Sequence, residues 1–201
     1  MTNRENIQSV CLANPDFLGY IFYSKSARYV GEQPDPAIFS VVPPQIQKVA
    51  VFVNEYYEKM SDVIQKYDIE LVQLHGMESP NTCAAIRNKG KKVIKVIPGD
   101  QVDNRELLKQ YAGSVDYFLF DTPVISHGGS GRKFDWSKLD HLDCKVPFFL
   151  SGGIAPGDAD KLMELKYNNF YAADINSRFE QEPGIKDSEM VSTFIKEIRN
   201  E

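Results

Sequence analysis

Seven short runs rich in β-branched and aromatic residues recur along the chain, at 17–23, 48–53, 71–75, 92–97, 117–121, 148–151 and 170–174. Their starts lie about 21 to 31 residues apart, roughly the length of one strand, one helix and two loops. Between them, apolar residues fall at helical spacing: Tyr57, Met60, Val63 and Ile64 before the third run, and Leu107, Leu108 and Tyr111 before the fifth. Met190, Phe194, Ile195 and Ile198 predict a closing helix. Strands that alternate with helices must pair in parallel, because the crossover helix returns the chain to the same end of the sheet. The class is therefore α/β.

A doubly wound sheet and a (β/α)8 TIM barrel both fit this alternation. Even spacing and chemistry-bearing residues at many C-terminal strand ends favour the barrel, and no GxGxxG follows the first run. A barrel has eight strands, yet the first recognisable element is a helix over 3–13. Seven strands are expected, with the first barrel strand not in this chain. No repeat, low-complexity tract or linker divides the 201 residues, which predicts a single domain over 1–201. Pro34, Pro36, Pro43 and Pro44 mark a loop with a short helix between them.

The net charge of −5, with Lys and Arg scattered, argues against nucleic acid as a partner. The N-terminus is too polar for a signal peptide and no apolar run is long enough to span a membrane, so a cytoplasmic location is expected. Three cysteines, Cys11, Cys83 and Cys144, without CxxC spacing or a nearby His pair, predict reduced thiols and no structural metal.

The strand tips carry the chemistry. The fifth run ends in Asp121, followed within a dozen residues by Gly128-Gly129-Ser130-Gly131. A carboxyl at a barrel strand tip beside a glycine loop suits proton transfer under a closing lid, although Asp is also common there as a turn or capping residue. After the first run, Arg28 lies in a basic loop and can clamp a carboxylate with two parallel hydrogen bonds; alone it reads more readily as a solvated surface charge. His75 and Gly76 end the third run, and a tip histidine is either a donor to substrate or structural. Gly152 and Gly153 after the sixth run, with Asp174, Asn176 and Ser177 after the seventh, read as a phosphate site of backbone amides.

Taken in order, these tips resemble phosphoribosylanthranilate isomerases. The resemblance is carried by 19–30, 49–54, Val72-Gln73-Leu74-His75-Gly76, Leu119-Phe120-Asp121-Thr122, 128–136, Leu150-Ser151-Gly152-Gly153-Ile154 and 174–180, and it runs from end to end. It implies a TIM barrel, no cofactor, and the Amadori rearrangement of N-(5'-phosphoribosyl)anthranilate to 1-(2-carboxyphenylamino)-1-deoxyribulose 5-phosphate in tryptophan biosynthesis. In the family an acid protonates the furanose ring oxygen, the ring opens to an iminium, and a base then takes the proton from the sugar's second carbon. The resemblance implies Asp121 as the acid and Arg28 as the residue facing the anthranilate carboxylate. It further implies Gly129 and Gly131 in the closing loop, and Gly152, Gly153, Asn176 and Ser177 around phosphate, with His75 and Asp174 as further substrate contacts.

Two departures stand out. Arg178 occupies a position where the family has a small residue. The family also opens with a strand ending Lys-x-Cys-Gly, whose cysteine is the base, and this chain starts at the Met-Thr just after it. None of its three cysteines lies in a corresponding place. The expectation is that the natural start lies upstream, that the chain as written is a poor enzyme, and that the strands at 17–23 and 170–174 leave a gap between them. A non-catalytic phosphosugar-binding barrel is the alternative, and among enzymes a histidine-pathway isomerase. The expected partner is a small phosphosugar, with the chain a monomer or homodimer.

Overall fold

The computed structural model describes residues 1–122 and 135–201. Seven parallel strands form one sheet: β1 (Phe17–Ile21), β2 (Gln47–Phe52), β3 (Leu71–Leu74), β4 (Lys92–Pro98), β5 (Tyr117–Asp121), β6 (Phe148–Leu150) and β7 (Phe170–Ala173), paired in chain order. Between and around them run α1 (Arg4–Cys11), α2 (Ala37–Ser40), α3 (Tyr57–Lys66), α4 (Pro80–Arg87), α5 (Arg105–Ala112), α6 (Ala159–Met163) and α7 (Ser188–Arg199). All seven expected strands are present. The short helix expected among the prolines is α2.

Four of the helices start where the sequence provides a side-chain cap. Asn3, Ser79, Asn104 and Asp187 each accept a hydrogen bond from a backbone amide of the first turn, and Pro80 adds its pre-set φ at the start of α4. α7 stops at Asn200 in the left-handed conformation (φ 55°). Each helix then turns an apolar face inward, such as Ile7 and Val10 of α1, Met60, Val63 and Ile64 of α3, and Val191 and Phe194 of α7.

Period-two alternation separates the strand residues into two layers. One layer, including Ala50, Phe52, Val72, Leu74, Val93, Ile97, Phe118 and Phe120, packs against the helices. The other, Val49, Leu71, Ile94, Val96, Tyr117, Leu119 and Phe149, fills the concave face. Phe17 of β1 touches Phe149 of β6 (ring centroids 5.2 Å) and Tyr171 of β7 (6.1 Å), although β1 and β7 share no strand pairing. Contact between the first and last strands means that the sheet curls on itself as a barrel does. It stays open between β1 and β7, as expected.

One element was not expected. Glu180–Glu182 (β8) and Ile185–Lys186 (β9) form an antiparallel hairpin between β7 and α7. Its turn holds Gly184 at φ +90°, where a Cβ would press on Thr2. Asn6 fastens the hairpin to α1, its side chain donating to the Lys186 carbonyl at 2.7 Å and accepting from the Lys186 amide at 2.8 Å.

Candidate active site

Inward alternation decides which tip residues meet. Tyr117, Leu119 and Asp121 share one face of β5, and Leu71, Gln73 and His75 share one face of β3 and its extension, so both rows point into the concave side. Ser151 continues the row of Phe149 in the same way. A cavity of about 420 Å³ opens there, lined by Arg28, Gln73, His75, Asp121, Ser151, Asp174 and Lys186 among others.

Asp121 is held at both oxygens. The Thr122 amide donates to Oδ1 at 2.8 Å, and His75 Nε2 lies 3.3 Å from Oδ2. Gln73 fixes the imidazole from its other side, Nε2 to Nδ1 at 3.2 Å. An amide nitrogen can only donate, so the tautomer that suits both contacts is the one with its hydrogen on Nε2, toward Asp121.

Asp174 lies at the next-but-one tip from Asp121, where its amide donates to the Leu150 carbonyl at 2.8 Å. Desolvation pushes its carboxyl above the ordinary range and the charge of Asp121 pushes the same way; Lys186, His75 and the Ser151 hydroxyl pull against them.

Arg28 does not stand free in its loop. Its Nε lies 3.0 and 2.9 Å from the two carboxylate oxygens of Glu180, and Nη2 lies 2.6 Å from Oε2. Lys186 donates to the same Glu180 carboxylate at 3.0 Å and to the carbonyl and side-chain oxygens of Asn176 at 2.9 and 2.6 Å. Desolvation acts to raise the Glu180 carboxyl, but Arg28, Lys186 and the Gly184 amide outweigh it and hold the group below its ordinary value. Burial lowers the Lys186 ammonium, with Glu180 opposing. Sequence reasoning missed Glu180 and Lys186; the cue was the Pro183-Gly184 turn pair that brings them together.

Gly152 and Gly153 have φ of +88° and +72°. A Cβ on Gly152 would meet the Thr122 side chain and lie 2.6 Å from the Thr122 amide nitrogen, so only glycine lets the β6 tip lie against the β5 tip. Asn176, Ser177 and Arg178 are exposed at the neighbouring tip. Gly129 and Gly131 lie outside the described residues. The three thiols are free, Cys83 buried and Cys11 and Cys144 half-buried. Burial raises all of them, Cys83 to about 11, and none lines the cavity. Among the described residues no cluster of His, Cys, Asp and Glu could hold a metal ion, and no helix is long and apolar enough to cross a membrane.

The family model described as N-(5'phosphoribosyl)anthranilate (PRA) isomerase matches residues 1–197. The chain belongs to this family. N-(5'-phosphoribosyl)anthranilate isomerases of Phocaeicola vulgatus and Parabacteroides distasonis are each 38% identical to it, over 99% and 98% of this chain and 95% and 90% of theirs. Its fold is similar to the crystal structure of phosphoribosyl anthranilate isomerase from Thermotoga maritima (31% identity, TM-score 0.84, all of this chain and 96% of that one). It is also similar to a phosphoribosyl anthranilate isomerase crystallised with reduced 1-(o-carboxyphenylamino)-1-deoxyribulose 5-phosphate (30% identity, TM-score 0.83, the same coverage). The chain is thus an enzyme, an isomerase of tryptophan biosynthesis on a TIM-barrel scaffold. The expectation of a poor enzyme is not borne out. It weighed one thiol of the family's opening strand, whereas the likeness spans the chain and the tips from Arg28 to Asp174 converge on one cavity.

Proposed function

We propose that Asp121 is the acid that opens the furanose ring of N-(5'-phosphoribosyl)anthranilate. The observation that supports this most is the pair of donors on its carboxylate, the Thr122 amide and His75 Nε2. Once the proton has moved to the ring oxygen, those two donors receive the negative charge left behind, without rearrangement. His75 is thereby a site residue rather than a structural one.

Arg28 takes the anthranilate carboxylate. Its Nε and one edge of Nη2 are committed to Glu180, and among the described residues its Nη1 is left to face a ligand. The phosphate binds at the tips of β6 and β7, on the amides of Gly152, Gly153, Asn176 and Ser177. Asp174 accepts from a sugar hydroxyl. No cofactor takes part. The enzyme works in the cytoplasm on this small phosphosugar, as a monomer or homodimer.

Calorimetric titration with reduced 1-(o-carboxyphenylamino)-1-deoxyribulose 5-phosphate tests the substrate placement. One equivalent should bind, inorganic phosphate should compete, and Arg28→Met should weaken binding. Binding untouched by both would contradict it.

A further inference from the structure

Lys95 sits in the middle of β4, on the face that packs against the helices between Val93 and Ile97, with its side chain 3% exposed. Its ammonium pairs at 3.2 Å with Glu78, 2% exposed, beneath the Tyr111 ring. Neither residue lines the cavity. Taking two such charges out of water costs several kcal/mol each, and apolar residues of similar volume often hold a fold equally well. Stability alone is therefore a weak reason for the pair.

What the pair bonds to is specific. The three donors of Lys95 go to the Leu74 carbonyl at 3.1 Å, the Gly76 carbonyl at 2.6 Å and Glu78. Glu78 accepts from the Gly76 amide at 3.2 and 3.0 Å and from the Asn54 amide at 2.7 Å. Apart from the Asn54 bond, every backbone contact falls on the residues immediately before and after His75. Gly76 is also pressed so close to Asn54 that a Cβ would lie 2.7 Å from its amide nitrogen.

We infer that Lys95 and Glu78 are positioning residues for the isomerisation: the buried pair clamps the backbone on both sides of His75 and so holds its imidazole against Asp121. This rests on the reading of Asp121 as acid and His75 as its partner. Backbone shifts of about 1 Å near a reacting group cost as much as about 10²-fold in rate, and the clamp removes that freedom at the β3 tip.

The experiment is a double-mutant cycle with steady-state kinetics on N-(5'-phosphoribosyl)anthranilate. Glu78→Gln should lower kcat by about tenfold or more with KM nearly unchanged, because the pair touches no part of the substrate. In a His75→Ala background the same substitution should cost nothing further. A Lys95→Met/Glu78→Met protein, apolar and close in volume, covers the case in which Glu78→Gln does not fold, and it should show the same loss of kcat at wild-type stability. Equal costs of Glu78→Gln with and without His75, or a wild-type kcat in the double-methionine protein, overturn the inference while leaving the site reading intact. A wild-type kcat in His75→Ala itself overturns both.

Discussion

Glu180 grips Arg28 with both carboxylate oxygens across 152 residues of sequence, the shortest contact being 2.6 Å. The same carboxylate binds Lys186, which in turn holds the Asn176 tip. One buried anion thus ties the residue proposed for the anthranilate carboxylate to the tip proposed for phosphate, and fixes the spacing between the two ends of the substrate. Glu180→Gln should raise KM about tenfold or more, the scale of one hydrogen bond to a charged group, with a smaller change in kcat. Steady-state kinetics check this, with circular dichroism to verify the fold.

The carboxyls of Glu180 and Asp174 titrate in opposite senses. Glu180 is held below its ordinary value, so its contribution to stability is present above the unfolded-state pKa of about 4.3 and is lost as pH falls through the folded value. Asp174 is raised, so its contribution is present in acid and is lost as pH rises through the folded value. At neutral pH Asp174→Asn should therefore raise the unfolding midpoint and Glu180→Gln should lower it. Urea titrations at neutral pH and near pH 4 check both signs.

Gly152→Ala should destabilise the protein by about 1 to 3 kcal/mol, because the residue sits at φ +88° against Thr122. It should also raise KM by moving the amides proposed for phosphate. Denaturant midpoints and the Kd for inorganic phosphate measure the two effects separately.

The strands were legible because each is an apolar run set in a regular spacing, and the tip residues because alternation carries Tyr117 and Leu119 on to Asp121, and Leu71 and Gln73 on to His75. The β8–β9 hairpin was not legible. Its strands are three and two residues long and mostly polar, too short for any periodicity to register. With it went Glu180, whose partner Arg28 lies 152 residues away, and Lys186, which binds that same carboxylate. Lys95 is a charge inside a β-branched run, but its partner Glu78 lies in the loop before α4, and only the fold brings them together.

In the proposed reaction the Asp121 carboxyl delivers the proton that opens the ring. The most direct measurement of this step is single-turnover conversion of N-(5'-phosphoribosyl)anthranilate by Asp121→Asn, alongside the affinity of the same variant for the reduced product analogue. The rate should fall about 10²- to 10⁴-fold, the usual contribution of a general acid, with affinity retained. A variant that turns over at the wild-type rate would contradict this role.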